Sequence, residues 1–210
     1  VTGASSGIGR DTATHLAALG ARVALVARAS ERLTDVGKEL SSAGGDVLVI
    51  PVDLESPNAP HEVIDRVGAR WGRVDGLVNN AAIVRHLPHA EWSMALFDEH
   101  IAVNVRAPYF LIQQALPYLT DSPIGSVVNV SSSSGTLRLN GQSVYGLTKS
   151  ALDYMTGSLA GELAPTGVRV NCIAPGPVDT PIHKTWAADL DEAYKWLAEQ
   201  VPMGRIGSTG

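Results

Sequence analysis

Tyr145 and Lys149 stand four residues apart in a stretch of helical character, Gln142 to Ala164, so a phenol and an ammonium share one helix face. A cation held beside a phenol favours the phenolate and lowers its pKa toward working pH, where the group can give or take a proton. Just upstream, Ser131, Ser132, Ser133 and Ser134 follow the apolar run Ser126 to Val130. Any of the four offers a hydroxyl to the same carbonyl oxygen, and residue type alone does not choose among them. The second chemistry-bearing segment is Val1-Thr2-Gly3-Ala4-Ser5-Ser6-Gly7-Ile8-Gly9, which reads as a strand end, a glycine-rich turn and a helix start. Such a turn brings backbone N–H groups and the positive end of a helix to a pyrophosphate. Gly3 permits the tight turn, Gly7 the approach of the phosphates, and Gly9 the close packing of helix on strand.

These residues need a scaffold, and the chain supplies one. β-rich runs at Arg22 to Ala27, Asp46 to Val52, Val74 to Asn79, Ser126 to Val130 and Arg169 to Ala174 alternate with helical patterns. The helical patterns are Gly7 to Leu19, Ser30 to Ala43, Ala59 to Trp71, Ser93 to Leu119 and Gln142 to Ala164. Near-continuous Val, Leu and Ile in the strands is the pattern of a parallel sheet covered on both faces. The reading is one α/β doubly wound domain, residues 1–210, with Gly20 and Gly44 at helix C-caps and Ser30 as an N-cap. In open parallel sheets ligands bind beyond the carboxyl ends of the strands. The loops Ala82 to Trp92, Ser131 to Asn140 and Pro175 to Thr185 fall there.

Composition excludes several classes. A net charge of −5 with no basic run argues against a nucleic-acid surface. At 45% apolar and 18% charged residues, the chain can bury a sizeable core. The single cysteine, Cys172, cannot form an internal disulfide, and a buried, inert thiol in a reducing cytoplasm is expected. No apolar run is long enough to span a membrane. His86 and His89 lack a third ligand and read as rim residues, so no metal is expected.

Taken together, TGASSGIG, NNAA at Asn79 to Ala82, Asn104, Ser132, Tyr145-Gly146-Leu147-Thr148-Lys149 and Pro175-Gly176 resemble the short-chain dehydrogenase/reductase family in order and spacing. The resemblance covers essentially the whole chain and points to the single-domain TGxxxGxG branch. It implies a Rossmann-like fold and hydride transfer between a nicotinamide cofactor and a carbonyl or secondary alcohol. Tyr145 would be the general acid and base. Lys149 would depress its pKa and hold the nicotinamide ribose, and Ser132 would stabilise the substrate oxygen. Asn104, at a helix distortion near Pro108, would complete a tetrad. The implied cofactor residues begin with Gly3, Ser5, Ser6, Gly7, Ile8 and Gly9 at the phosphates. Asp53 and Leu54 would meet the adenine, Asn79 and Ala81 would line the adenosine side while Asn80 braces the sheet, and Pro175, Gly176, Val178 and Thr180 complete the set with Tyr145 and Lys149. The alternative is a cofactor-binding protein without turnover, a sensor or inactive fragment.

At the end of the second strand Ala27 and Arg28 stand where an acid would grip a ribose 2′-hydroxyl. A guanidinium there suits a 2′-phosphate, so NADP(H) is expected over NAD(H), although Ser6 is not the second basic residue many NADP-preferring relatives carry. By resemblance the substrate loop or lid spans about 177–205. Oxoacyl thioesters, sugars, polyols, steroids and xenobiotic ketones all remain open as substrates. The resemblance also leads us to expect truncation at both ends, with the last strand and helix missing. A homodimer or homotetramer is expected, through Ser93 to Leu119 and Gln142 to Ala164.

Overall fold

A computed structural model describes residues 1–187 and 189–209. The Val- and Leu-rich runs form β1 (Val23–Ala27), β2 (Val47–Pro51), β3 (Gly76–Asn79), β4 (Ser126–Val130) and β5 (Arg169–Ile173). All pairings are parallel, β1 with β2 from Val23↔Val47 to Ala27↔Pro51, and β4 between β3 and β5. The two groups are joined by the first residues of the chain. Val26 N–H donates to Val1 O at 3.0 Å, and Thr2 N–H donates to Val78 O at 2.9 Å. Val1 and Thr2 therefore lie between β1 and β3, and the glycine turn leaves the sheet where its strand order reverses.

Helices cover both faces because β1 buries side chains on both. Leu25 packs with Ala13, Leu33, Val36 and Leu40 from α1 (Gly7–Ala18) and α2 (Glu31–Ser42). Val26 belongs to the larger core, with Ile50, Val127 and residues of α3 (Ala59–Trp71), α5 (Ala107–Asp121) and α6 (Ser143–Leu163). Ser30 caps α2 as expected, its hydroxyl accepting from Leu33 N at 3.2 Å.

The expected long helix Ser93 to Leu119 is interrupted. It begins as α4 (Met94–Ile101), passes through a π-helical turn over Ala102–Arg106, and resumes as α5. Pro108, at the start of α5, has no N–H to give the carbonyl of Asn104, so the regular i to i−4 ladder cannot run through this point.

The expectation of a missing last strand and helix is overturned. β5 pairs with β4 over its full length, from Ser126↔Arg169 to Val130↔Ile173, and α7 (Leu190–Glu199) follows it. The physical cause is local. Val170 is buried in the main core, and the Asp189 carboxylate accepts from Asp191 N at 2.9 Å and Glu192 N at 3.1 Å, holding the first turn of α7. Ala193 and Leu197 then bury the inner face of that helix. The expected lid, 177–205, includes Ala188, which lies outside the described residues. Among the described residues, no helix is long and apolar enough to cross a membrane.

Candidate active site

The glycine turn is held by contacts that tolerate no side chain. Gly3 has φ +68°, a left-handed conformation that favours glycine. A side-chain carbon on Gly9 would lie 2.5 Å from Gly3 O, so α1 meets the turn at backbone distance. Thr2 fixes the turn from beneath, its hydroxyl accepting from Asn80 N at 2.9 Å and Ala81 N at 3.0 Å, while Asn80 Nδ2 donates to Thr2 O at 2.8 Å. Ser6, at the N-cap of α1, makes no side-chain cap bond, and the first turn of α1 holds no acidic residue. The first N–H groups of that helix are thus left for an anion.

A cleft of about 860 Å³ runs along the carboxyl ends of the strands. Gly3, Ser5, Ser6, Gly7 and Ile8 form its floor, Arg28, Asp53 and Leu54 one end, and Ser132, Tyr145 and Lys149 the other. Ala81, Pro175, Gly176, Val178 and Thr180 line it between. The Thr180 methyl approaches the turn so closely that a side-chain carbon on Gly7 would sit 3.0 Å from it. A dinucleotide fits this shape and donor set: uncapped helix N–H groups in the middle, a guanidinium at one end, and hydroxyl and ammonium groups at the other. Arg28 and Arg32 both line the first end, and neither has an ion pair among the described residues. Asp53 accepts from Glu55 N at 3.0 Å, which shapes the loop after β2.

Three anticipated residues do not line the cleft. Gly9 is buried behind the turn. Asn79 is 2% exposed, and its Nδ2 donates to Asn129 Oδ1 at 2.9 Å; Asn129 Nδ2 in turn donates to Thr156 Oγ1 at 2.9 Å. Asn80 braces Thr2, the residue between β1 and β3, as expected, and it is also Asn80, not Asn79, that lines the cleft. Strand alternation explains this, since Asn79 ends β3 pointing into the sheet's cover. Asn104 is also buried, in the π-helical turn. Its amide exchanges two bonds with the Ile83 backbone, both 2.9 Å, and donates to Thr148 Oγ1 at 3.1 Å. Thr148, which the sequence reading passed over, donates to Tyr145 O at 2.7 Å and so links Asn104 to the first turn of α6. Its place one residue before Lys149 was the available signal.

The catalytic end is dry. Tyr145 and Lys149 are both buried. Burial pushes the Tyr145 phenol up, with a hydrogen bond from Ser132 pulling the other way. Lys149 Nζ donates to Val130 O at 2.7 Å and lies 5.7 Å from the centre of the Tyr145 ring. Desolvation lowers the Lys149 pKa to about 8, against the pull of Cys172 and Asp153. Burial is thus the leading influence on both groups, raising the phenol and lowering the ammonium. Ser132 Oγ also accepts from Ser134 N at 3.1 Å, which fixes its rotamer and leaves its proton to be donated. Cys172 is half-buried and gives its thiol hydrogen to Asp153 Oδ1 at 3.2 Å; burial and that carboxylate raise its pKa, so it stays a thiol. No cluster of three or more His, Cys, Asp or Glu side chains suited to a metal occurs among the described residues.

At the outer rim, His86 stacks on Trp186 with ring centres 4.4 Å apart, and Gln142 Nε2 lies 2.9 Å from His86 Nε2. His86 was expected at the rim and Trp186 falls within the expected lid, whereas Gln142 was not singled out.

The short chain dehydrogenase family model matches residues 1–191. A tropinone reductase homolog of Arabidopsis thaliana is 34% identical over 208 residues, covering 99% of this chain and 67% of the relative. A metagenomic short-chain oxidoreductase solved in complex with NADP superposes with a TM-score of 0.80 at 38% identity, over 84% of this chain and 80% of that one. A dehydrogenase/reductase from Sinorhizobium meliloti superposes with a TM-score of 0.91 at 36% identity, over 100% of this chain and 81% of that one. With the glycine turn, the cleft and the serine, tyrosine and lysine at its inner end, these likenesses show that the chain belongs to the short-chain dehydrogenase family and is an NAD(P)-dependent oxidoreductase.

Proposed function

We propose that the protein interconverts a ketone and a secondary alcohol with Tyr145 as general acid and base, and that it prefers NADP(H) to NAD(H). The observation that carries the reading is the convergence of Ser132, the buried Tyr145 phenol and the buried Lys149 at the inner end of a dinucleotide-shaped cleft. When bound, the nicotinamide gives or accepts the hydride. In reduction, Tyr145 gives its proton to the substrate oxygen while Ser132 donates a second hydrogen bond to it, so the charge developing there is met from two sides. A phenol kept protonated by burial is ready for this direction. The Lys149 ammonium compensates the phenolate that remains, and Asn104 acts through Thr148 to hold the Tyr145 turn in place.

At the other end Arg28 receives the 2′-phosphate, and the NADP held by the similar metagenomic enzyme supports this choice. The phosphates lie against Gly3, Ser5, Ser6, Gly7 and Ile8, with Gly9 packing the turn; Asp53, Leu54 and Ala81 flank the adenosine, and Pro175, Gly176, Val178 and Thr180 close over the nicotinamide half. Residues 1–210 work as one domain, with about 177–205 as the substrate lid. A homodimer or homotetramer in the cytoplasm completes the reading, since Tyr109, Phe110, Leu147 and Tyr154 leave apolar surface exposed on α5 and α6.

Two measurements test it. Fluorescence titration with NADPH and NADH in parallel reads the cofactor preference, and a ketone screen with NADPH reads turnover. Tighter NADPH binding with Tyr145-dependent reduction is the expected result. Equal binding of both cofactors would remove the role of Arg28, and reduction that survives Tyr145→Phe would remove that of Tyr145.

A further inference from the structure

Gln142 sits three residues before Tyr145, where α6 begins, and lines the same cleft. Its Nε2 is 2.9 Å from His86 Nε2, while its Oε1 is buried with no partner. An amide can be turned over, but either orientation leaves one of its two polar atoms unpaired. The pair is braced from the lid. Trp186 stacks on His86 with the planes 20° apart, and the Thr185 hydroxyl beside it bonds Val84 O at 3.3 Å, tying the lid to the loop that carries His86. Burial and the nearby His183 lower the His86 pKa, which favours the neutral imidazole. Leu139 and Ile182 give the same region apolar walls.

A buried amide atom without a partner is costly, and at a substrate site the missing partner is a group of the substrate. We infer that Gln142 selects the substrate: a neutral, carbon-rich ketone or alcohol with a second hydroxyl a few bonds from the reacting carbon, hydrogen-bonded by the free atom of the Gln142 amide. A hydroxyl suits either amide orientation because it both donates and accepts. The reach is short, since side chains three apart at a helix start are separated by about 5–6 Å at Cβ. This rests on the reading that Tyr145 and Ser132 hold the reacting oxygen. A carboxylate in place of the hydroxyl would meet an uncharged pair and gain no counter-ion.

The test uses two matched pairs of probes with NADPH: 4-hydroxycyclohexanone against 4-methylcyclohexanone, and 4-hydroxy-2-butanone against 2-pentanone. The hydroxylated member of each pair should have the higher kcat/KM by about tenfold or more, the scale of discrimination from one buried hydrogen bond. Gln142→Leu, and Gln142→Met as a second variant of similar length, should bring each ratio to near one. A second arm measures calorimetric binding of the same probes to Tyr145→Phe loaded with NADP⁺, with and without Gln142→Leu, where no turnover is needed. If no probe is reduced but the hydroxyl preference in binding is present and depends on Gln142, the inference stands and the catalytic reading fails. A preference that survives Gln142→Leu, or none in either arm, overturns the inference and leaves Gln142 with a water as its partner.

Discussion

The two ends of the cleft are built on different principles. The nucleotide end is made of backbone: the Gly3 turn, the uncapped start of α1, and Gly9 packed so close that a side-chain carbon would lie 2.5 Å from Gly3 O. The substrate end is made of side chains brought together from distant positions, with His86 and Gln142 separated by 56 residues and Val84 and Thr185 by 101. A backbone cradle is set by conformation, whereas a side-chain corner changes with each substitution made in it. The catalytic group lies at the inner side of that substrate end, Ser132 just after β4 and Tyr145 and Lys149 on α6.

The most severe way to separate the ends is Tyr145→Phe. Ketone reduction should fall by about 10²- to 10⁴-fold, the contribution typical of a positioned acid, while NADPH affinity measured by fluorescence stays within about threefold. A loss of cofactor binding of the same size would show that the two ends are not independent. Next comes the far end alone: Arg28→Ala should cut the NADPH-over-NADH preference by about 10- to 100-fold, as expected for a charge-assisted contact, and leave NADH binding nearly unchanged.

pH divides the ends as well. Lys149 is cationic below its pKa of about 8 and neutral above it. The phenolate left by proton donation then loses its compensating charge, so kcat/KM for reduction should hold level below pH 8 and fall above it, approaching tenfold per unit. Lys149→Met should flatten the profile at a low rate, and the pH dependence of NADPH binding to the Arg28 end should not share the limb.

Smaller effects probe the backbone cradle against the lid. Gly9→Ala should cost about 1–3 kcal/mol of stability by overpacking, read by chemical denaturation, and weaken both cofactors alike because it moves the turn and not Arg28. Asp189→Ala removes the cap of α7 and should cost about 0.5–2 kcal/mol. Hydrogen exchange should localise that loss to α7 and leave α1 protected; protection lost across both would mean that the lid and the cradle unfold together.

The legibility of the sequence follows the same division. The strand and helix segments were readable because burial on both faces of a parallel sheet imposes continuous apolar runs, and Ser30 and the glycines marked their ends. The interruption at Ala102–Arg106 was signalled by Pro108, but its extent was not, since a missing N–H does not say how many residues rearrange around it. The final strand and helix were expected to be absent, and β5 and α7 corrected that, because the capping of α7 by Asp189 is a local signal that the family comparison overshadowed.

Within the site, residue types and spacing pointed to Ser132, Tyr145, Lys149 and the glycine turn, all of which depend on contacts close in sequence or on backbone conformation. That Asn80 and not Asn79 faces the cleft was out of reach, because which of two adjacent side chains does so depends on how β3 is set in the sheet. The state of the acid was also beyond it. Spacing placed an ammonium near a phenol, but only packing showed that burial of the phenol raises the Tyr145 pKa. Sequence by itself determined the elements, the turn and the chemistry at hand, since those follow from period, conformation and functional group. Tertiary structure alone decided which groups share a dry space, as in the meeting of His86, Gln142 and Trp186, because long-range contact and burial belong to the folded chain and to no segment of it.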